Sequence, residues 1–223
     1  DIGDSSVGAA SLTVSTTSDF ANAVTNIALV RTTGLQTYSG AANLTSNTSL
    51  INTDSPITFG AALTSAAAAN RTLTINAGTG ITTFTGTVGA GAGRQLGAIA
   101  ITGGMIASET IVAASLTVST TSTITKDITT TGIQTYSGAT LIAGNTVLDT
   151  TTANAITFGG TLNSSGGARS LGLDATTAAV QFGGIVGGTT AFGAIAITGA
   201  MDLNSDIGDS SVGAASLTVS TTS

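Results

Sequence analysis

DIGDSSVGAASLTVSTTS, residues 1–18, returns letter for letter at residues 206–223. A globular domain has no use for such a duplication, because its two ends occupy different surroundings. A chain that is one window on a periodic molecule does. The string therefore sets a long period of roughly 205 residues. Its core, SLTVSTTS, starts at Ser11, again at Ser115 and again at Ser216, so the long period holds two related modules. TGLQTYSGA from Thr33 matches TGIQTYSGA from Thr131, SPITFGAAL around Phe59 matches NAITFGGTL around Phe158, and LGAIAITGG from Leu96 matches FGAIAITGA from Phe192. The expected organisation is one continuous repeat over residues 1–223. A first module covers residues 11–114 and a second 115–205, and residues 206–223 begin the next period.

A finer beat runs beneath the modules. Tyr38-Ser-Gly40, Phe84-Thr-Gly86, Tyr136-Ser-Gly138, Phe158-Gly-Gly160 and Phe182-Gly-Gly184 share an aromatic-x-Gly pattern, and Phe59 joins them with Ala61 in place of the glycine. Neighbouring members stand about 21 to 25 residues apart, the length of one coil of a parallel β-solenoid. Between Gly86 and Tyr136, and after Gly184, the aromatic is missing and the coils are inferred, for about nine coils per long period. Within a coil the alternation has period two. Leu73 and Ile75 face one way in RTLTIN, as do Ile99 and Ile101 in GAIAITG and Leu12 and Val14 in SLTVST. NAGTG (76–80), GAGAG (89–93) and NSSGG (163–167) supply corners that need positive φ. SAAAAN (65–70) is too short to stand as a helix.

Short strands separated by turns also build antiparallel sandwiches, but there each strand has its own neighbourhood and periodicity has no purpose. In a solenoid each coil rests on a near copy of itself, so like residues stack on like at ~4.8 Å. The expected fold is all-β, a parallel β-solenoid with Val, Ile and Leu inside and Thr outside. One long period would rise about 43 Å. In the aromatic-x-Gly pattern the ring is expected to fill the interior and the glycine to allow a bend beside it. No capping sequence is legible, so the coil is expected to continue beyond both ends or to stack on other copies.

Composition agrees. Aromatic residues are 4% and charged residues 7%, and the chain has 30 glycines and one proline, Pro56. Thr and the β-branched aliphatics favour extended backbone, and a net charge of −6 with high hydrophobicity is unlike a disordered chain. Five scattered basic residues, Arg31, Arg71, Arg94, Lys126 and Arg169, do not make a phosphate-binding surface, so no nucleic-acid partner is expected. With no Cys and no His, disulfides, thiolate chemistry, Cys/His zinc sites and an imidazole base are excluded. The apolar runs are too rich in Thr and Gly for a membrane-spanning helix. The chain begins without Met or a signal peptide, so Asp1 is not expected to be the start of translation.

LTINAGTGITTFTGTVGAGAGRQLGAIAITGG (73–104), IQTYSGATLIAGNTVL (133–148) and ITFGGTLN (156–163) resemble the β-strand repeats of giant bacterial surface and secreted proteins of the filamentous-haemagglutinin and adhesin type. The resemblance covers nearly the whole chain. It implies a right-handed β-helical shaft exported to the cell surface or medium, acting as spacer, scaffold or adhesive filament. The secretion domain found at the N-terminus of such proteins is not in this sequence.

No catalytic, cofactor-binding or metal-binding residues are expected, and no cofactor. Glycan-cleaving β-helices need clustered carboxylates, whereas the one Glu, Glu109, has no acidic partner near it in sequence. The densest acidic stretch, MDLNSDIGD with Asp202, Asp206 and Asp209, has its DIGD repeated at Asp1 and Asp4. It could offer oxygens to Ca²⁺ but follows no calcium-loop spacing, so a surface turn is expected. Thr72-x-Thr74, Thr83-x-Thr85-x-Thr87 and Thr123-x-Thr125 resemble the rows of ice-binding solenoids without recurring in every coil. Asn43, Asn47, Asn70 and Asn163 open N-x-S/T sequons, and no aromatic girdle marks a porin-like barrel. The expected function is a structural filament, extracellular or on the cell surface, with copies of itself as partners. The alternative is the stalk of an adhesin whose binding domain lies outside this sequence.

Overall fold

A computed structural model describes residues 9–20, 27–209 and 212–221 of the chain. Among these there is no helix; the strands, β1 to β21, pair in parallel. The chain divides into two compact units, residues 1–114 and 115–223.

In the first unit the strands form three ladders visited in turn. Ladder A stacks β1 (Leu12–Val14), β4 (Gln36–Tyr38), β7 (Ile57–Phe59), the end of β9 (Leu73–Phe84) and the end of β10 (Leu96–Ala107). Ladder B stacks β2 (Ser18–Phe20), β5 (Ala42–Leu44) and β8 (Leu63–Ser65), continued by Val88 and Ile111. Ladder C stacks β3 (Ile27–Arg31), β6 (Asn47–Ile51) and the starts of β9 and β10.

The second unit repeats the plan. Its ladder A runs from the end of β11 (Ile111–Val118) through β14 (Gln134–Tyr136) and β17 (Ile156–Phe158) to the ends of β19 (Leu171–Phe182) and β20 (Phe192–Leu203). Ladder B holds β12 (Ser122–Ile124), β15 (Thr140–Ile142) and β18 (Leu162–Ser164), then Val186 and Ile207. Ladder C holds β13 (Ile128–Thr130), β16 (Thr146–Thr150), the starts of β19 and β20, and β21 (Ala214–Ser220). Each unit is a parallel β-solenoid, and together they make about nine coils, as the aromatic beat predicts.

Register puts like on like. In ladder A the inward column is Val14, Tyr38, Phe59, Phe84 and Ala107 in the first unit, and Val118, Tyr136, Phe158, Phe182 and Leu203 in the second. The rings stack nearly parallel at 5.0 and 5.4 Å, and at 5.3 and 5.7 Å, between centroids. Where the aromatic is missing, Val, Ala or Leu occupies its rung. Ladder C stacks Val30, Leu50, Ile75 and Ile101, and likewise Ile128, Leu148, Leu173, Ile197 and Val219. Each fully buried aliphatic side chain contributes about 1.5–3 kcal/mol, so the core is a set of narrow columns rather than one wide interior.

The glycine-rich breaks hold the positive φ angles expected of corners: Gly78, then Gly89, Gly91 and Gly93, then Gly166 and Gly167. NAGTG, however, does not end a strand. β9 runs on from Leu73 to Phe84 and bends within it, passing from ladder C to ladder A. Thr176 bends β19 in the same way at φ 56°. SAAAAN is a turn, with Ala68 and Asn70 at positive φ.

The glycine of aromatic-x-Gly has a different cause from the bend expected. None of Gly40, Gly86, Gly138, Gly160 and Gly184 is at positive φ. A Cβ on Gly138 would lie 2.6 Å from the Thr120 carbonyl carbon, and one on Gly86 2.3 Å from that of Ala61. The neighbouring coil's backbone occupies the space, so only hydrogen can stand there.

Candidate functional site

The motif TTG-x-QTYSG, at residues 32–40 and 130–138, turns the chain from ladder C into ladder A. Alternation across Gln-Thr-Tyr points the outer two residues inward, so a glutamine enters the core beside the tyrosine. Gln134 is fully buried. Its Nε2 donates to the carbonyls of Ile128 (3.2 Å) and Asp149 (2.9 Å) and to Thr130 Oγ1 (3.3 Å). Its Oε1 accepts the Tyr136 hydroxyl at 2.9 Å, and Thr130 Oγ1 donates to the Gly132 carbonyl at 2.6 Å. The first unit repeats every contact: Gln36 Nε2 reaches Val30 O, Ile51 O and Thr32 Oγ1 at 3.5, 2.9 and 3.2 Å, and Tyr38 donates to Gln36 at 3.0 Å. Burial pushes both phenols well above the usual tyrosine range, so they stay neutral donors. Each network ties a corner to the coil that follows it. Composition and motif counting passed over these glutamines, although their spacing of two from the core tyrosine marked them as inward.

The same motif covers SLTVSTTS. β1 lies against β4 in the register Leu12–Gln36, Thr13–Thr37, Val14–Tyr38, and the end of β11 lies against β14 in the equivalent register. The bonds match as well. Leu12 N donates to Leu35 O at 3.0 Å and Leu116 N to Ile133 O at 3.1 Å. Ser39 N donates to Val14 O at 2.8 Å and Ser137 N to Val118 O at 2.9 Å. The third copy of the string lies in β21, the last rung of ladder C, where it pairs with β20 alone among the described residues. Leu217 and Val219 are 41% and 42% exposed there, whereas Leu116 and Val118 are fully buried.

Outward positions form polar rows. Thr13, Thr37, Thr58 and Thr83 make one row on ladder A; Thr117, Thr135 and Thr157 make another, continued by Gln181 and Asp202. Each strand contributes one outward Thr to a row, so Thr83 stands in a single file and Thr85 lies beyond the strand end. Thr74, on the outside of ladder C, is flanked by Ser49 and Ala100. Thr123, on ladder B, is followed by Leu141. Thr129, Asp149, Asp174 and Thr198 form a row on ladder C of the second unit. Burial first, and then the Asp174 carboxylate, raise the Asp149 carboxyl above its ordinary range.

The acidic candidates are not brought together. Asp202 is exposed on β20, where its Oδ1 accepts from Asn204 at 3.5 Å. The Asp206 carbonyl accepts a hydrogen bond from Val186 N, and Asp209 closes a turn with Val212 through bonds of 2.6 and 2.8 Å. Among the described residues no three acidic, His or Cys side chains group closely enough to hold a metal ion. Asp1 and Asp4 lie outside the described residues. Glu109 occupies the corner after β10. Three sequon asparagines are committed to the coil: Asn43 donates to Asp19, Asn47 accepts Thr72 N, and Asn163 accepts Thr189 N. Asn70 sits in an exposed turn. Among the described residues no helix is long and apolar enough to cross a membrane. Comparison with known protein families, curated proteins and solved structures finds no match.

Proposed function

We propose that this chain is a structural protein without catalytic activity, a stretch of a tandem-repeat β-solenoid that forms an extracellular or cell-surface filament with copies of itself. The observation that carries the reading is the in-register stacking of repeated strands, from Val14 to Ala107 and from Val118 to Leu203. A repeat that stacks on itself has no internal reason to stop, and stability accrues with each added neighbour. The interior is used by ring stacks and glutamine networks, and the two carboxylates that meet, Asp149 and Asp174, stand in an outward row of ladder C between Thr129 and Thr198. Negative-stain microscopy and fibre diffraction of the purified chain test the proposal. Filaments one solenoid wide, with a meridional spacing near ~4.8 Å, are expected; discrete monomeric particles at high concentration would refute it.

The second reading is the stalk of an adhesin. The row holding Asp149 and Asp174 favours it, because adjacent carboxylates oppose lateral bundling of like shafts. A filament that bundles points to a matrix fibre, and one that stays single points to a stalk.

A further inference from the structure

Three strings of SLTVSTTS occur in the sequence, and two of them lie beneath a Gln-Thr-Tyr strand with matching registers and hydrogen bonds. The third, in β21, has no such strand above it among the described residues, and its Leu217 and Val219 are exposed. Leu203, on the last rung of ladder A, is 39% exposed at the same end of the second unit. Chemically, the surface presented there asks for the strand that covers the other two copies.

We propose that β21 of one copy docks under the Gln36–Tyr38 strand of a second copy, taking the place of that copy's own Leu12–Val14, so that copies join head to tail by strand exchange. The inference rests on the filament reading above and names the surface through which the filament grows. The incoming strand is identical to the one it displaces over the whole 18-residue string, so the pairs Leu217–Gln36, Thr218–Thr37 and Val219–Tyr38 reproduce the register of β1 on β4. Leu35 O would accept Leu217 N and Val219 O would accept Ser39 N, as in the two seated copies.

The displaced strand is weakly held, for Leu12 and Val14 are only half-buried and Thr13 is exposed. Exchange replaces one strand by its twin, the low-cost route of domain swapping. The added gain is that Leu217 and Val219 become covered on both sides, and the winding of the second copy passes next over Leu203. The contact is heterologous, with different surfaces on the two partners, and such a contact propagates into a filament unless a rotation closes it into a ring. A further period following in the same chain would make the same pairing in cis.

The chain has no cysteine, so single introduced thiols report the junction. Thr37 and Thr218 both point outward, and directly paired residues on neighbouring parallel strands lie within disulfide reach. Full-length Thr37→Cys and Thr218→Cys chains, mixed and oxidised under dilute conditions, are expected to give the mixed 37–218 disulfide as the dominant product. The Thr37→Cys/Thr218→Cys double variant should give a ladder of multimers. A synthetic peptide of residues 1–18 in excess should abolish that ladder. Thr58→Cys in place of Thr37→Cys is the register control and should give none, because Thr58 is already flanked by Thr37 and Thr83. A statistical mixture of homodimers and heterodimers, or no cross-link from chains that remain β-structured by circular dichroism, would overturn the exchange. Microscopy of the unmodified chain scores the filament reading separately: filaments without the 37–218 cross-link remove the exchange alone, and the absence of filaments removes the reading beneath it.

Discussion

Replacing Gln134 by Leu removes an amide that makes four hydrogen bonds inside a sealed corner. Leu is one bond shorter but of similar bulk and has no polar atom, so the main loss is hydrogen bonding rather than packing. The Tyr136 hydroxyl, fully buried, then has no acceptor, and an orphaned buried donor costs about 1–3 kcal/mol. The carbonyls of Ile128 and Asp149 lose a donor each, though each keeps its capacity for ladder bonds, adding about 0.5–1.5 kcal/mol apiece. The expected destabilisation is therefore about 2–6 kcal/mol, with Tyr136→Phe alone costing about 1–2 kcal/mol for the abandoned Oε1. The double variant should cost less than the sum of the singles, by about 2–5 kcal/mol, because the orphaned hydroxyl and the abandoned Oε1 are both gone. Urea unfolding of the four proteins, followed by circular dichroism and by hydrogen exchange at Gly138, measures the cycle. Gln36→Leu with Tyr38→Phe is an internal replicate in the first unit, since its contacts correspond one for one. A Gln134→Leu variant within about 0.5 kcal/mol of the parent, the range of ordinary surface substitutions, or strictly additive singles, would show that the glutamine is not a hub.

Other consequences follow from single positions. Thr140 is fully buried with its hydroxyl unpartnered, so Thr140→Val should stabilise the second unit by about 1–2 kcal/mol in the same denaturant assay. Gly138→Ala sets a methyl against the Thr120 carbonyl group and should destabilise by about 1–3 kcal/mol or more. Above pH 10 the unfolded chain ionises its tyrosines while Tyr38 and Tyr136 stay neutral in the folded one. Protons are then held more tightly by the folded state, so stability falls with rising pH, by up to about 1.4 kcal/mol per pH unit for each phenol. Phenolate absorbance should consequently appear only together with the loss of β-structure, whereas phenolate forming ahead of unfolding would contradict the burial.

What could be read in the letters was whatever repeats. The spacing from Tyr38 to Phe59 to Phe84 gives the coil because a ring must lie over a ring, and alternation in RTLTIN gives the inward set because parity is a property of any strand. Corners were found where glycine supplies positive φ, as at Gly91, but not at Thr176, where a β-branched residue takes the same conformation and two neighbouring oxygens hold it: its N–H bonds Asp174 Oδ1 and its hydroxyl bonds the Thr150 carbonyl. The reason for Gly138 was hidden because the obstacle, the Thr120 carbonyl group, stands 18 residues earlier in the chain, across a coil boundary that no local window sees. Gln134 was hidden by composition, since a polar residue inside a dry column is expected only once its four partners are known. Asp149 and Asp174 are 25 residues apart and meet only through the register of β16 on β19.

Sequence period and winding period are also distinct, which decides how a filament of this repeat would look from the side. In the second unit SLTVSTTS begins on ladder A, at Leu116, and recurs on ladder C, at Leu217. Between these lie the rungs of the three ladders taken in rotation, five on each, so fifteen rungs and fourteen steps separate like from like. Fourteen is not a multiple of three. A copy joined through β21 would therefore set its ladder A on the ladder C beneath it, and its Thr37–Thr58 row would stand over Thr218 and Ala196 rather than over Asp202. Any outward row would then change face at each junction instead of running the length of the shaft. A continuous flat stripe is what sheet-like bundling and ice recognition both require, and a rotating one denies it. Diffraction from aligned filaments distinguishes the cases: rotated joining should place the true axial repeat at a multiple of the length of one joined copy, whereas a repeat of one copy would mean that copies stack without turning.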